Sequence, residues 1–220
     1  MGDIADIGIG YVTGANDFFH LRPSEARKAG IPDKFLYPAI RNGRMLSGDA
    51  VTHSTVCRWL EQDDPVLLLR IAKEQILPEP VKLYLDGPAG RIARETYKCR
   101  VRNPWYIVPD VKVPDAFLSY MNSKEPRLLA NLARCACTNS VHAVRLKGNV
   151  SIAALQEKWN SPLTRLSCEI EGHPLGGGLL KVEPGEAKKI VIMGNIPFQP
   201  DGNTQLEEGI ESMRRWRHHA

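Results

Sequence analysis

Apolar residues recur along this chain in short runs, interrupted by Gly, Pro and Asn at close intervals. Residues 7–13 (IGIGYVT) read as a strand running into the turn-former Thr13-Gly14-Ala15-Asn16. Residues 35–40 and 66–71 read as short buried strands, and so do 105–108 and 141–146, the last with Val141, Ala143 and Leu146 inward. Residues 179–182 and 189–193 are the remaining strand candidates. Helical spacing covers 24–29, opened by Pro23 and Ser24 and closed by Gly30, and then 79–85 and 89–96, separated by Asp86-Gly87-Pro88. It returns at 150–159, at 163–171 with Gly172 as the stop, and in a closing helix over 204–216. Short strands alternating with short helices predict an α+β fold, with mixed short-strand sheets and helices around them, rather than a doubly wound sheet. The pattern divides into one domain over residues 1–195 and a C-terminal helical extension over 196–220.

Composition narrows the classes. With 43% hydrophobic and 25% charged residues in 220, the chain has an ordinary globular make-up. No apolar run approaches the ~20 residues of a membrane span. The opening Met-Gly-Asp-Ile-Ala-Asp lacks the basic and apolar regions of a signal peptide. The five cysteines suggest neither a disulfide framework nor a zinc knuckle, since Cys135-Ala136-Cys137 is too tight and Cys57, Cys99 and Cys168 stand apart. Reduced thiols, no metal and a cytoplasmic location are the expectations.

The formal charge of +4 is modest but unevenly spread. Residues 91–102 carry five basic side chains and one acid, and residues 126–156 contain no Asp or Glu at all. The acids gather elsewhere, as in Glu61-Gln62-Asp63-Asp64. Such segregation fits either a polyanion-binding face or an ordinary solvated surface.

Two stretches imitate catalytic signatures. Asn103-Pro104-Trp105-Tyr106 approaches the polar-Pro-Pro-aromatic tetrapeptide of amino-methyltransferases, with a tryptophan in place of the second proline. Trp105 cannot supply the rigid turn that aims the carbonyl at the amine, and the following Ile107-Val108-Pro109 reads as a strand entering the core. Aromatic packing at a strand start is the competing account. Residues 6–11 (DIGIGY) resemble a glycine-rich cofactor loop, but no helix pattern follows the glycines and no ribose-binding acid follows at the right distance. Gly176-Gly177-Gly178 precedes a strand and reads as a tight turn.

Taken in order, "GIGYVTGANDFF" at 8–19, "YKCRVRNPWYIVP" at 97–109, "PDAFLSYM" at 114–121, "CTNSVHAVR" at 137–145 and "LTRLSCEIEGHPLGGGLLKVEP" at 163–184 resemble the C-terminal target-recognition region of the N6-adenine DNA methyltransferases of restriction-modification systems. The resemblance spans about residues 7–193 and lacks both the cofactor loop and the catalytic tetrapeptide of those enzymes. It implies a DNA target-recognition domain without its own catalytic centre. Double-stranded DNA would be one partner and a catalytic methyltransferase domain or subunit the other, with S-adenosylmethionine held in that catalytic part.

A recognition domain needs phosphate contacts for position and base-edge contacts for sequence. Lys98, Arg100 and Arg102 alternate along a segment read as extended, which would place all three on one face. Arg91 and Arg94 lie three apart on a helix. Asn139 and His142 are candidate readers of purine edges with Arg145 nearby for guanine, and Asn16 is another. Asn16 fits equally a turn-stabilising role, and His142 a structural one. Arg41 and Arg44, flanking Gly43, are further candidates, whereas Arg214, Arg215, Trp216 and Arg217 read as a frayed, solvated helix end. Two rival functions stay open: a self-sufficient methyltransferase using residues 6–11 and 103–106, and a basic module that docks an acidic protein.

Overall fold

The computed structural model describes residues 1–193 and 200–219. The first half of the chain forms β1 (Ala5–Ile9), α1 (Asn16–Phe19), β2 (His20–Leu21), α2 (Pro23–Lys28), β3 (Leu36–Ile40), β4 (Ala50–Val51), α3 (His53–Glu61), β5 (Leu67–Leu69), α4 (Glu79–Asp86), α5 (Pro88–Glu95) and α6 (Tyr97–Arg100). The second half forms β6 (Ala116–Ser119), β7 (Met121–Asn122), β8 (Leu128–Asn131), β9 (Ala136–Cys137), β10 (Val141–Leu146), α7 (Ile152–Trp159), α8 (Pro162–Glu171), β11 (His173–Leu175), β12 (Leu179–Lys181), α9 (Pro184–Lys189) and α10 (Pro200–His219). The fold is α+β, as the alternation predicts.

A five-stranded sheet runs in the order β1-β10-β6-β8-β4, antiparallel except for the β4–β8 pair. Its strands carry apolar side chains on both faces, which is what a sheet covered on both sides requires. Ile7, Leu118, Leu128 and Val144 face one cluster with Leu155 of α7 and Cys168 of α8. Phe117, Leu129 and Val141 face the other, with Trp59 of α3. Alternate residues of one strand thus enter opposite layers. A four-stranded sheet, β2-β5-β3-β9, packs Leu21, Leu68 and Leu69 in one cluster with Phe19 of α1 and with Val81, Leu85 and Ala93 of α4 and α5. A small third sheet, β11-β12-β7, lies beside α10.

Four expectations need correction. Residues 105–108 form no strand; Trp105 and Tyr106 lie in a turn, and Trp105 packs against Phe18 and Phe19 with ring centroids 5.7 and 6.4 Å apart. Residues 97–100 are the helical turn α6, so Lys98, Arg100 and Arg102 do not share the face that an extended segment would give them. Residues 189–193 form no strand either, because Pro184 opens α9 and the chain beyond Ile190 is irregular. The end of α10 is anchored: Arg214 Nε donates to Glu169 Oε1 of α8 at 2.9 Å, and Arg217 is buried beside the same carboxylate. The expected boundary at residues 195–196 lies outside the described residues.

Candidate nucleic-acid interface

The segment after β1 is built to hold one shape. Gly10 passes so close to the β9–β10 connection that a Cβ there would stand 2.0 Å from the carbonyl oxygen of Cys137. Tyr11 then bridges to Thr138: its N–H donates to Cys137 O at 3.0 Å, and its carbonyl accepts from Asn139 N at 3.0 Å. The glycines of residues 6–11 therefore serve a strand and its crossing. No helix opens behind them, so these residues do not fit the cofactor loop they resemble.

Beneath the turn, Tyr11 Oη and His20 Nε2 are 2.7 Å apart, and His20 Nδ1 is 2.9 Å from the carbonyl oxygen of Asn16. A carbonyl can only accept, so Nδ1 carries the proton and Nε2 accepts from the phenol. Burial pushes the His20 pKa down from 6.5 to about 4, against the opposing pull of the Asn16 carbonyl. Burial likewise raises that of the Tyr11 phenol. The pair is therefore neutral at physiological pH.

The turn itself is tied from within and from behind. Thr13 Oγ1 donates to Asn16 Oδ1 at 2.5 Å and accepts from Ala15 N at 3.2 Å, an arrangement typical of Thr and Asn in turns. Gly14 adopts φ +86°, and a Cβ at this position would stand 2.5 Å from Cβ of Lys98. From behind, Arg102 donates through Nη1 to Thr13 O and through Nη2 to Val12 O, both at 2.6 Å. The four-residue helix α1 follows, and its Asp17 carboxylate receives Arg41 Nη2 at 2.7 Å. The Arg41 carbonyl in turn accepts from Thr138 Oγ1 at 2.6 Å.

Asn16, Lys98 and Asn139 are thereby brought together around residues 11–16, and all three are exposed. A shallow groove lined by Asn16, Asp17, Ile92 and Thr96 joins this turn to α5, whose Arg91 and Arg94 are both exposed. Arg100 is exposed at the end of α6. The cluster thus sets exposed cations, Arg91, Arg94, Lys98 and Arg100, beside the short amide side chains of Asn16 and Asn139.

Three sequence candidates do not fit as expected. The Arg102 guanidinium is spent on two carbonyls, so the residue shapes the turn instead of reaching outward. His142 is buried; Nε2 lies 2.7 Å from the carbonyl of Val182 and the ring meets Tyr120 edge-on, so it is structural. Burial also draws its pKa down. Arg145 is exposed, but it pairs in register with Asp6 near the far end of β10, about 13 Å along the strand from Val141 at ~3.3 Å per residue, whereas Asn139 lies in the turn before the strand. Asp17, Tyr11 and His20 were not among the sequence candidates. Asp17 is hinted at only by its place next to the turn-forming Thr13-Gly14-Ala15-Asn16, and no pattern in the sequence singles out Tyr11 or His20.

With this geometry in place, comparison with known proteins is informative. A family model described as "Type II methyltransferase M.Eco57I, C-terminal domain" matches residues 1–217. The chain belongs to this family. The M.Eco57I C-terminal-domain match takes in nearly all of α10 as well as the sheets. The chain is also 21% identical over 188 residues to the Type II methyltransferase M.AccI of Acinetobacter calcoaceticus, a match covering 84% of this chain and 34% of that protein. The solved structure titled as that of the type IIG restriction endonuclease BpuSI superimposes with a TM-score of 0.52 at 16% identity, covering 96% of this chain and 25% of that one. At that identity the likeness speaks for the fold alone. The chain spans about a third of M.AccI and a quarter of BpuSI. It is thus a C-terminal region of the kind carried by restriction-modification methyltransferases. Among the described residues, no helix is long and apolar enough to cross a membrane.

Proposed function

We propose that this chain is the target-recognition part of an adenine-N6 DNA methyltransferase of a restriction-modification system, acting in the cytoplasm. In this reading it binds duplex DNA through the face around residues 11–16, with α10 as an extension of the domain. S-adenosylmethionine and the transfer chemistry belong to a catalytic domain or subunit outside this chain. The observation that carries the proposal is the convergence of exposed Asn16, Lys98 and Asn139 on one rigidly tied turn, beside the basic helix α5. Lys98, Arg91, Arg94 and Arg100 supply phosphate contacts; Asn16 and Asn139 face base edges.

Duplex binding measured by gel shift over a salt series tests this directly. Each phosphate neutralised steepens the fall of log affinity with log salt by about 0.9. Four cations in contact therefore predict a slope near −3.6, to order of magnitude. Absence of duplex binding at low salt, with salt-sensitive binding to an acidic protein instead, would replace the proposal by the protein-docking reading.

A further inference from the structure

Asp17 is an anion on a face otherwise edged by cations. Its side chain is 98% exposed, whereas that of its partner Arg41 is 22% exposed. Arg41 Nη2 donates to Oδ1 across 2.7 Å, which leaves Oδ2 turned outward. Both residues are placed by the scaffold: the Arg41 carbonyl is held by Thr138 Oγ1, and Asp17 follows the turn closed by Thr13 and Asn16. Among the described residues, the other donors of the Arg41 guanidinium meet no protein acceptor.

An ion pair this exposed contributes little to stability. A carboxylate beside a phosphate backbone is moreover repelled by it. On a DNA-binding face its outward oxygen can act by accepting from a hydrogen-bond donor. In the major groove the donors are the exocyclic amines, N4 of cytosine and N6 of adenine. Arginine has the opposite preference, matching the two acceptors O6 and N7 of guanine. A G·C pair presents guanine O6 beside cytosine N4, acceptor next to donor, which is the mirror of the donor–acceptor couple that Arg41 and Asp17 display.

We infer that the Arg41–Asp17 pair reads one G·C base pair, with Arg41 donating to guanine and Asp17 Oδ2 accepting from cytosine N4. This rests on the reading of the face as a DNA-recognition surface. An A·T pair is rejected because adenine sets its N6 donor beside N7, so the guanidinium fork finds one acceptor where it needs two.

The test is selection from a randomised duplex library by the whole chain, followed by titration of the selected duplexes and their single-position variants. The wild-type chain is expected to fix a G·C pair at one position. Asp17→Ala should lose preference at that position alone, by about tenfold. Arg41→Lys, which keeps the charge but loses the fork, should lose the guanine preference with the salt slope unchanged. If Asp17→Ala binds every duplex more tightly and leaves base preference as it was, Asp17 merely tempers the Arg41 charge and the inference is overturned while the DNA reading stands. If the wild-type chain binds no duplex at low salt, the DNA reading falls and this inference with it.

Discussion

Tyr11 Oη and His20 Nε2 lie 2.7 Å apart in the core under the candidate interface, and the far side of the His20 ring holds the carbonyl of Asn16. A buried imidazole thus fastens the strand before the turn to the short helix that follows it. The arrangement requires a neutral ring, because a protonated Nε2 could not accept from the phenol.

That requirement makes stability depend on pH. The folded pKa of His20 is about 4 and the unfolded value about 6.5, so the unfolded chain takes up the proton first. The stabilisation is complete above about pH 6.5 and is lost progressively as pH falls toward 4. The loss is on the order of 3 kcal/mol at about 1.4 kcal/mol per pKa unit. Urea unfolding between pH 7 and 4 should show it, and His20→Gln should be less stable at pH 7 with a flatter profile over that range.

Arg102→Met should destabilise the turn without removing an outward charge. It strips the donors from two carbonyls, one of them on the buried Thr13, at a cost of about 1–3 kcal/mol. Thermal unfolding reads the stability. Duplex affinity at constant salt should fall with an unchanged salt slope, which separates a shaping residue from a phosphate contact.

Arg91→Ala, Arg94→Ala and Arg100→Ala alter exposed side chains and should leave the free energy of unfolding within about 0.5 kcal/mol of wild type. Under the DNA reading, each should weaken binding to all duplexes alike and reduce the salt slope by about one. Asn139→Ala, by contrast, should change base preference at one position. Fluorescence titration at two or more salt concentrations distinguishes these outcomes.

Gly10→Ala should be among the most damaging small substitutions. Its Cβ would stand 2.0 Å from a backbone oxygen, so the bridge between Tyr11 and Thr138 has to open. Overpacking of this kind costs about 1–3 kcal/mol and sometimes more. Soluble yield and unfolding midpoint are the measurements, with Gly8→Ala as the control, since nothing lies within 4 Å of a Cβ there.

Glu169→Ala should loosen α10. The carboxylate is buried and receives Arg214 at 2.9 Å, with Arg217 at 3.4 Å. Removing it leaves the buried Arg217 guanidinium without its counter-charge, at about 3–5 kcal/mol, while Arg214 keeps its bond to Glu125. Limited proteolysis should then cleave within residues 200–219 faster than in wild type.

The sequence reveals the fold class and most long elements because their periodicity is strong. The pairs α4 and α5, α7 and α8, and the strand β10 all sit within a few residues of expectation. Failures have local physical causes. The strands β6 and β8 were not anticipated, since each is four residues long, buried on both faces and without alternation. Helix α3 went unseen because its N-terminal half, His53-Ser54-Thr55, is polar and its Thr52 cap needs the chain geometry to be recognised. At 97–102 the basic residues recur every second position, a strand-like period, yet Cys99 buries and the backbone coils. Of the sequence candidates, Asn16, Lys98 and Asn139 all border residues 11–16, whereas the Arg41–Asp17 pair joins residues too far apart in sequence for any spacing to suggest.

The grip of Arg102 on Thr13 spans 89 positions of sequence. The bonds within the turn, from Thr13 to Asn16 and Ala15, are therefore only half of what holds it; the other half comes from the region after α6. A peptide cut from residues 8–19 would carry every letter of the turn but not the clamp that holds it from behind. The form of this surface belongs to nearly half the chain and not to the segment that displays it.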